Sequence, residues 1–104
     1  AGLASYWLAA NGYEVYRLMV IFDGWWPEFN TWRKHEICVY RDSDGRWYAI
    51  DIFFHGDPGT RNPVGPFESI QHICDTMPLR YESTTWTSYE LRTPKLQLLE
   101  TVEH

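Results

Sequence analysis

Residues 13–22 read YEVYRLMVIF, and this stretch decides the fold. It is rich in β-branched and aromatic residues and holds no glycine or proline, so it reads as a strand. Alternation splits it into two faces. Tyr16, Leu18, Val20 and Phe22 point one way; Val15, Met19 and Ile21 point the other, interrupted by Arg17. Apolar residues on both faces need cover on both sides, which marks a central strand.

Upstream, residues 3–11 (LASYWLAAN) favour a short helix through their alanines. Asn11-Gly12 makes a suitable helix stop, because both residues tolerate a left-handed backbone. The same pair also fits a hairpin turn. Ala1 in place of Met suggests processing or a tag remnant at residues 1 and 2.

Downstream, residues 23–32 (DGWWPEFNTW) read as a loop, opened by Asp-Gly and broken by Pro27. It carries four aromatics: Trp25, Trp26, Phe29 and Trp32. Residues 33–55 then form a hairpin about RDSDG. With Asp44-Gly45 as a two-residue turn, Glu36, Cys38 and Tyr40 share a face with Trp47, Ala49, Asp51 and Phe53. A three-residue loop would invert one strand relative to the other. Residues 56–65, with three Gly and two Pro, form a loop.

Pro66 fits the first position of a helix over about 66–77. Phe67, Ile70, Ile73, Cys74 and Met77 recur on its apolar face, and Pro78 marks its end. Residues 84–92 alternate as a strand. After Pro94 the tail is either an edge strand or a short helix, with the strand favoured. The expected fold is α+β in one domain, 1–104. An antiparallel sheet of four to five strands packs one face on the helix at 66–77, with a possible short N-terminal helix.

Length and composition fit that picture. One domain of 104 residues can fold without a staple. The net charge is −5, with only two lysines, so long-range attraction to nucleic acid or to an anionic membrane surface is not expected. No apolar run reaches the roughly 20 residues of a membrane span, and no secretory signal stands at the start. Cys38 and Cys74 lie outside any C-x-x-C pair. They are expected to be buried and reduced, which suggests a cytoplasmic protein.

The excess is aromatic: 6 Trp, 7 Tyr and 5 Phe. Trp47, Tyr40 and Phe53 are large residues to leave wet on a second sheet face, so the aromatic loop, a second subunit or a ligand should cover them. Arg17, Glu36, Asp51 and His55 are the polar groups expected there, with an Arg17–Asp51 charge pair as one arrangement. His35, His55 and Asp57 have no diagnostic metal spacing. Asp42-Ser43-Asp44-Gly45 lacks the twelfth-position glutamate of a calcium loop and reads as a turn. No phosphate-binding, dinucleotide, nucleophile-elbow or zinc-protease motif is present. No catalytic residue, metal or cofactor is therefore expected. The leading expectation is a non-enzymatic module that pairs with itself, most simply as a dimer, through the aromatic loop (Trp25, Trp26, Phe29, Trp32) and the second sheet face. The alternative is a small-molecule-binding or isomerase-like domain with a pocket lined by Arg17, Tyr40, Asp51 and His55.

Overall fold

The computed structural model describes residues 2–50, 63–77 and 83–104. The elements are α1 (Gly2–Ala10), β1 (Glu14–Trp26), a 3-10 turn (Pro27–Phe29), β2 (Thr31–Arg41), β3 (Trp47–Ile50), β4 (Val64–Phe67), α2 (Ile70–Asp75), β5 (Trp86–Arg92) and β6 (Leu98–Glu103). All six strands join one antiparallel sheet in the order β4-β3-β2-β1-β5-β6. The class is α+β as expected, with six strands among the described residues rather than four or five. The tail forms the sixth, as edge strand β6.

Strand β1 is central, and its two faces behave as its alternation requires. Leu18, Val20 and Phe22 are fully buried on one face, with Ile37, Val39, Ala49, Trp86, Tyr89 and Leu91 beside them. Helix α2 covers this face with Ile70, Ile73 and Cys74, and Phe67 and Met77 flank it. The apolar set expected of a 66–77 helix is thus buried throughout, but the helix itself is shorter. Pro66 lies in β4, two residues after Val64. The helix starts at Ser69, whose hydroxyl accepts a hydrogen bond from the His72 backbone N–H at 3.1 Å. A serine that satisfies an orphan N–H outweighs a proline that only suits a first turn.

The opposite face receives α1. Leu8 and Ala4 pack on Val15, Cys38, Tyr40, Tyr48 and Ile50. Asn11-Gly12 ends the helix. Tyr13 N–H reaches back to Leu8 C=O and Gly12 N–H to Ala9 C=O, both 3.1 Å, with Gly12 at φ +83°. That nested pair of bonds needs a left-handed residue at position 12, which glycine supplies without a Cβ penalty.

The β2–β3 hairpin corrects one expected register. Its loop has three residues, Ser43–Gly45, closed by Gly45 N–H on Asp42 C=O at 2.9 Å and Asp42 N–H on Arg46 C=O at 3.0 Å. Gly45 takes φ +79°, the left-handed residue that such loops require. Tyr40 now opposes Tyr48, and Arg41 opposes Trp47. The one-residue change inverts β3 relative to β2. Trp47 therefore leaves the Cys38/Tyr40 face and packs on the α2 side, 5.9 Å from Tyr16. Arg92–Leu98 repeats the same turn, with Leu96 at φ +69° in the glycine position.

Candidate functional site

Residues 23–32 are not an irregular loop. Strand β1 continues through Asp23-Gly24 to Trp26, and β2 starts at Thr31, so the aromatics decorate the tip of one long hairpin. The register shifts between Ile21 and Trp25, and the extra residues around Gly24 let Arg33 lie over it. A Cβ there would meet Arg33 Cδ at 2.6 Å. Asp23 anchors the base of the tip: its carboxylate accepts from the backbone N–H of Thr84 at 3.1 Å and from the Thr84 hydroxyl. The hydroxyl bond holds the Asp23 carboxyl below its usual range.

Beyond that anchor the rings divide. Trp25 and Trp32 are cross-strand partners and meet edge to face at 5.2 Å. Trp26 and Phe29 form a second edge-to-face pair at 5.6 Å. Phe29 is 71% exposed, Trp32 53% and Trp25 44%, so the tip is not folded back into the core. Trp32 and Ile21 border a hollow of about 360 Å³ with Thr87, Ser88 and Glu103. Alternation places Trp32 on the α1 side of the sheet, the side of Glu36, Cys38 and Tyr40. The tryptophan pair therefore continues the second sheet face.

At the other end of this face the aromatics are already covered. Tyr40 is buried beneath α1, stacked on Tyr48 and edge-on to Tyr13, each at 5.5 Å. The middle of the face is charged. Arg17 donates from Nε to Glu36 Oε1 at 2.6 Å, and its guanidinium Nη2 also meets that oxygen. Arg92 pairs with Glu90 at 3.2 Å. Arg17 is thus engaged by Glu36, and Tyr40 is walled off from the surface by α1. Asp51, Phe53 and His55 lie outside the described residues, as does Asp57.

The two cysteines are free and buried on opposite faces of the sheet, Cys38 with α1 and Cys74 with α2. Burial pushes the Cys38 thiol up to about 11 and the Cys74 thiol up to about 12, so both are poor nucleophiles at neutral pH. Among the described residues no group of three or more His, Cys, Asp or Glu is placed to hold a metal ion. Among the described residues no helix is long and apolar enough to cross a membrane.

The chain matches no family model, curated protein or solved structure.

The residues that the sequence reading passed over belong to α1. Its outward side carries Leu3 (90% exposed), Tyr6 (50%) and Trp7 (63%). The helix has no acidic residue in its first turn and no basic residue in its last. A charge-free segment with large apolar residues on both sides was the available signal, because a helix apolar all round normally has cover all round.

Proposed function

We propose that this protein is a non-enzymatic binding module that pairs with a second copy of itself, face to face and in opposite directions. The observation that carries this reading is the layout of the α1 side of the sheet. Helix α1 stands on one end as a ridge about 10 Å thick, with Leu3, Tyr6 and Trp7 outward. At the other end no described element covers the sheet, and Ile21, Trp25 and Trp32 border a surface with a hollow of about 360 Å³. A two-fold axis through the middle of the face would seat the ridge of each copy in the hollow end of the other. Such an isologous contact uses one patch twice.

The charged middle suits the same arrangement. It carries two acids and two arginines in neighbouring pairs, Arg17–Glu36 and Arg92–Glu90, so each copy presents both signs to its partner. Aromatic anchors with a polar surround are the usual anatomy of an association surface. The small-molecule alternative draws less support, because Glu36 engages Arg17 and α1 covers Tyr40. Sedimentation velocity tests the proposal. Dimers at micromolar concentration that dissociate on Trp7→Ala or Trp32→Ala are expected. A strict monomer at high micromolar concentration removes the idea.

A further inference from the structure

The face of the sheet turned away from the proposed self-contact holds a second concavity. Helix α2 has only six residues, so it covers part of its face and leaves a cleft of about 430 Å³ beside it. That volume is within the range of small-molecule sites. Three rings line it, Tyr16, Trp47 and Tyr89, together with the carboxylates of Glu14 and Glu100. Neither acid has an ion-pair partner among the described residues; no lysine or arginine is among the described residues that line the cleft, and Arg41 lies against the Trp47 ring at its border.

The hydrogen bonds fix how these groups present themselves. Tyr16 donates its hydroxyl proton to Glu14 Oε1 at 2.7 Å, and Tyr89 donates to Glu100 Oε1 at 3.3 Å. Each phenol is thereby kept as a neutral donor, and each acid is kept as an oriented acceptor. Burial, with the neighbouring carboxylates, pushes both phenols up to about 12. The cleft thus combines negative charge with flat π-faces. Trp47 already takes one cation of this chain, with the Arg41 guanidinium carbon 5.6 Å from its ring centroid.

We infer that this cleft binds an alkylated ammonium group, its methyl groups against Trp47, Tyr16 and Tyr89 and its charge balanced by Glu14 and Glu100. Ring faces attract a cation through their quadrupole, and a quaternary ammonium is cheaper to desolvate than a bare one, so rings with acids select it over a neutral group of equal shape. The net charge of −5 adds a long-range pull of the same sign. Such a group could arrive on a free small molecule or on a methylated lysine of a polypeptide, and the chemistry of recognition is shared.

The test is a titration followed by amide chemical shifts, with choline and with its neutral isostere 3,3-dimethylbutan-1-ol. Choline should shift residues around Trp47 and Tyr89 saturably, and the isostere should bind roughly tenfold more weakly. Glu14→Gln and Glu100→Gln, both exposed positions that keep an acceptor for the tyrosine, should each weaken choline several-fold and leave thermal unfolding unchanged. A trimethyl-lysine peptide and its unmethylated form separate the two sources; preferential binding of choline or of the methylated peptide supports the site. Equal affinity for choline and the isostere, no saturable response to choline or methylated peptide, or an unchanged response in the double Gln variant would overturn it. Running the same titration on Trp7→Ala separates this outcome from that of self-pairing.

Discussion

Trp7→Ala and Trp32→Ala should each abolish pairing alone and should partly restore it when mixed. Trp7 is 63% exposed and Trp32 53%. For a side chain of roughly 250 Å², about 160 and about 130 Å² remain to be covered. At about 25 cal/mol per Å² these areas correspond to about 4 and about 3 kcal/mol if covered completely. Interfaces realise only part of such area, so about half, near 2 kcal/mol per contact, is a reasonable expectation. A two-fold pair contains each ridge-to-tip contact twice. A homodimer of either variant loses both contacts, about 4 kcal/mol, and binds about a thousandfold more weakly. In the mixed pair both substitutions fall in the same contact and the other contact is intact. The mixture should therefore associate roughly 30-fold more tightly than either variant alone. Fluorescence anisotropy of one labelled variant titrated with the other gives the number, and Trp26→Ala, on the other side of the tip, serves as the neutral control. A mixture no tighter than its components would refute the opposed two-fold arrangement even if the wild type dimerises.

Three further outcomes bear on the fold. Gly65 has φ +148°, and a Cβ there would sit 2.8 Å from Trp47 O and Tyr48 Cδ1; Gly65→Ala should cost at least about 2 kcal/mol in urea unfolding, and a neutral result would contradict this packing of β4 on β3. Leu96 holds φ +69°, so Leu96→Gly should raise stability by about 0.5 kcal/mol, the left-handed strain relieved outweighing the added chain entropy; a loss of stability would mean that the Leu96 side chain contributes more than its backbone costs. Stability should also fall as pH rises from 9 towards 12. Burial raises Cys74 from 9.0 to about 12 and Tyr89 from 10.0 to about 12, and a folded-state value above the unfolded one stabilises below the unfolded value and is lost on passing through the folded one. A urea midpoint that stays flat across that window would contradict their burial.

Much of the sheet was legible in the side chains alone. The two-faced alternation of residues 13–22 placed β1 at the centre, and the apolar set Phe67, Ile70, Ile73, Cys74 and Met77 was fully identified as core. The failures share a local cause. Pro66 suits a first helical turn, yet Ser69 outcompeted it because its hydroxyl satisfies a backbone donor. Asp44-Gly45 fits a two-residue turn, yet the three-residue loop won, and a single position then carried Trp47 to the other face. The bulge at Gly24 let a strand run through a turn signal. Among candidate site residues, the clustering of Trp25, Trp26, Phe29 and Trp32 followed from residues 23–32, whereas the exposure of Trp25, Phe29 and Trp32 is a finding of the structure. The α1 ridge and the Tyr16–Trp47–Tyr89 cleft did not follow from the sequence, because both depend on how far a short helix reaches across a sheet.

The edges of the sheet limit how such a molecule can grow. Strand β4 is four residues long and holds Pro66, which has no N–H to offer a neighbour. Strand β6 places Glu100 and Glu103 along the opposite border, where a second β6 laid beside it would bring like charges together. Neither border is a good template for an added strand. Both borders thus work against open-ended, fibre-like stacking of a chain this rich in exposed rings.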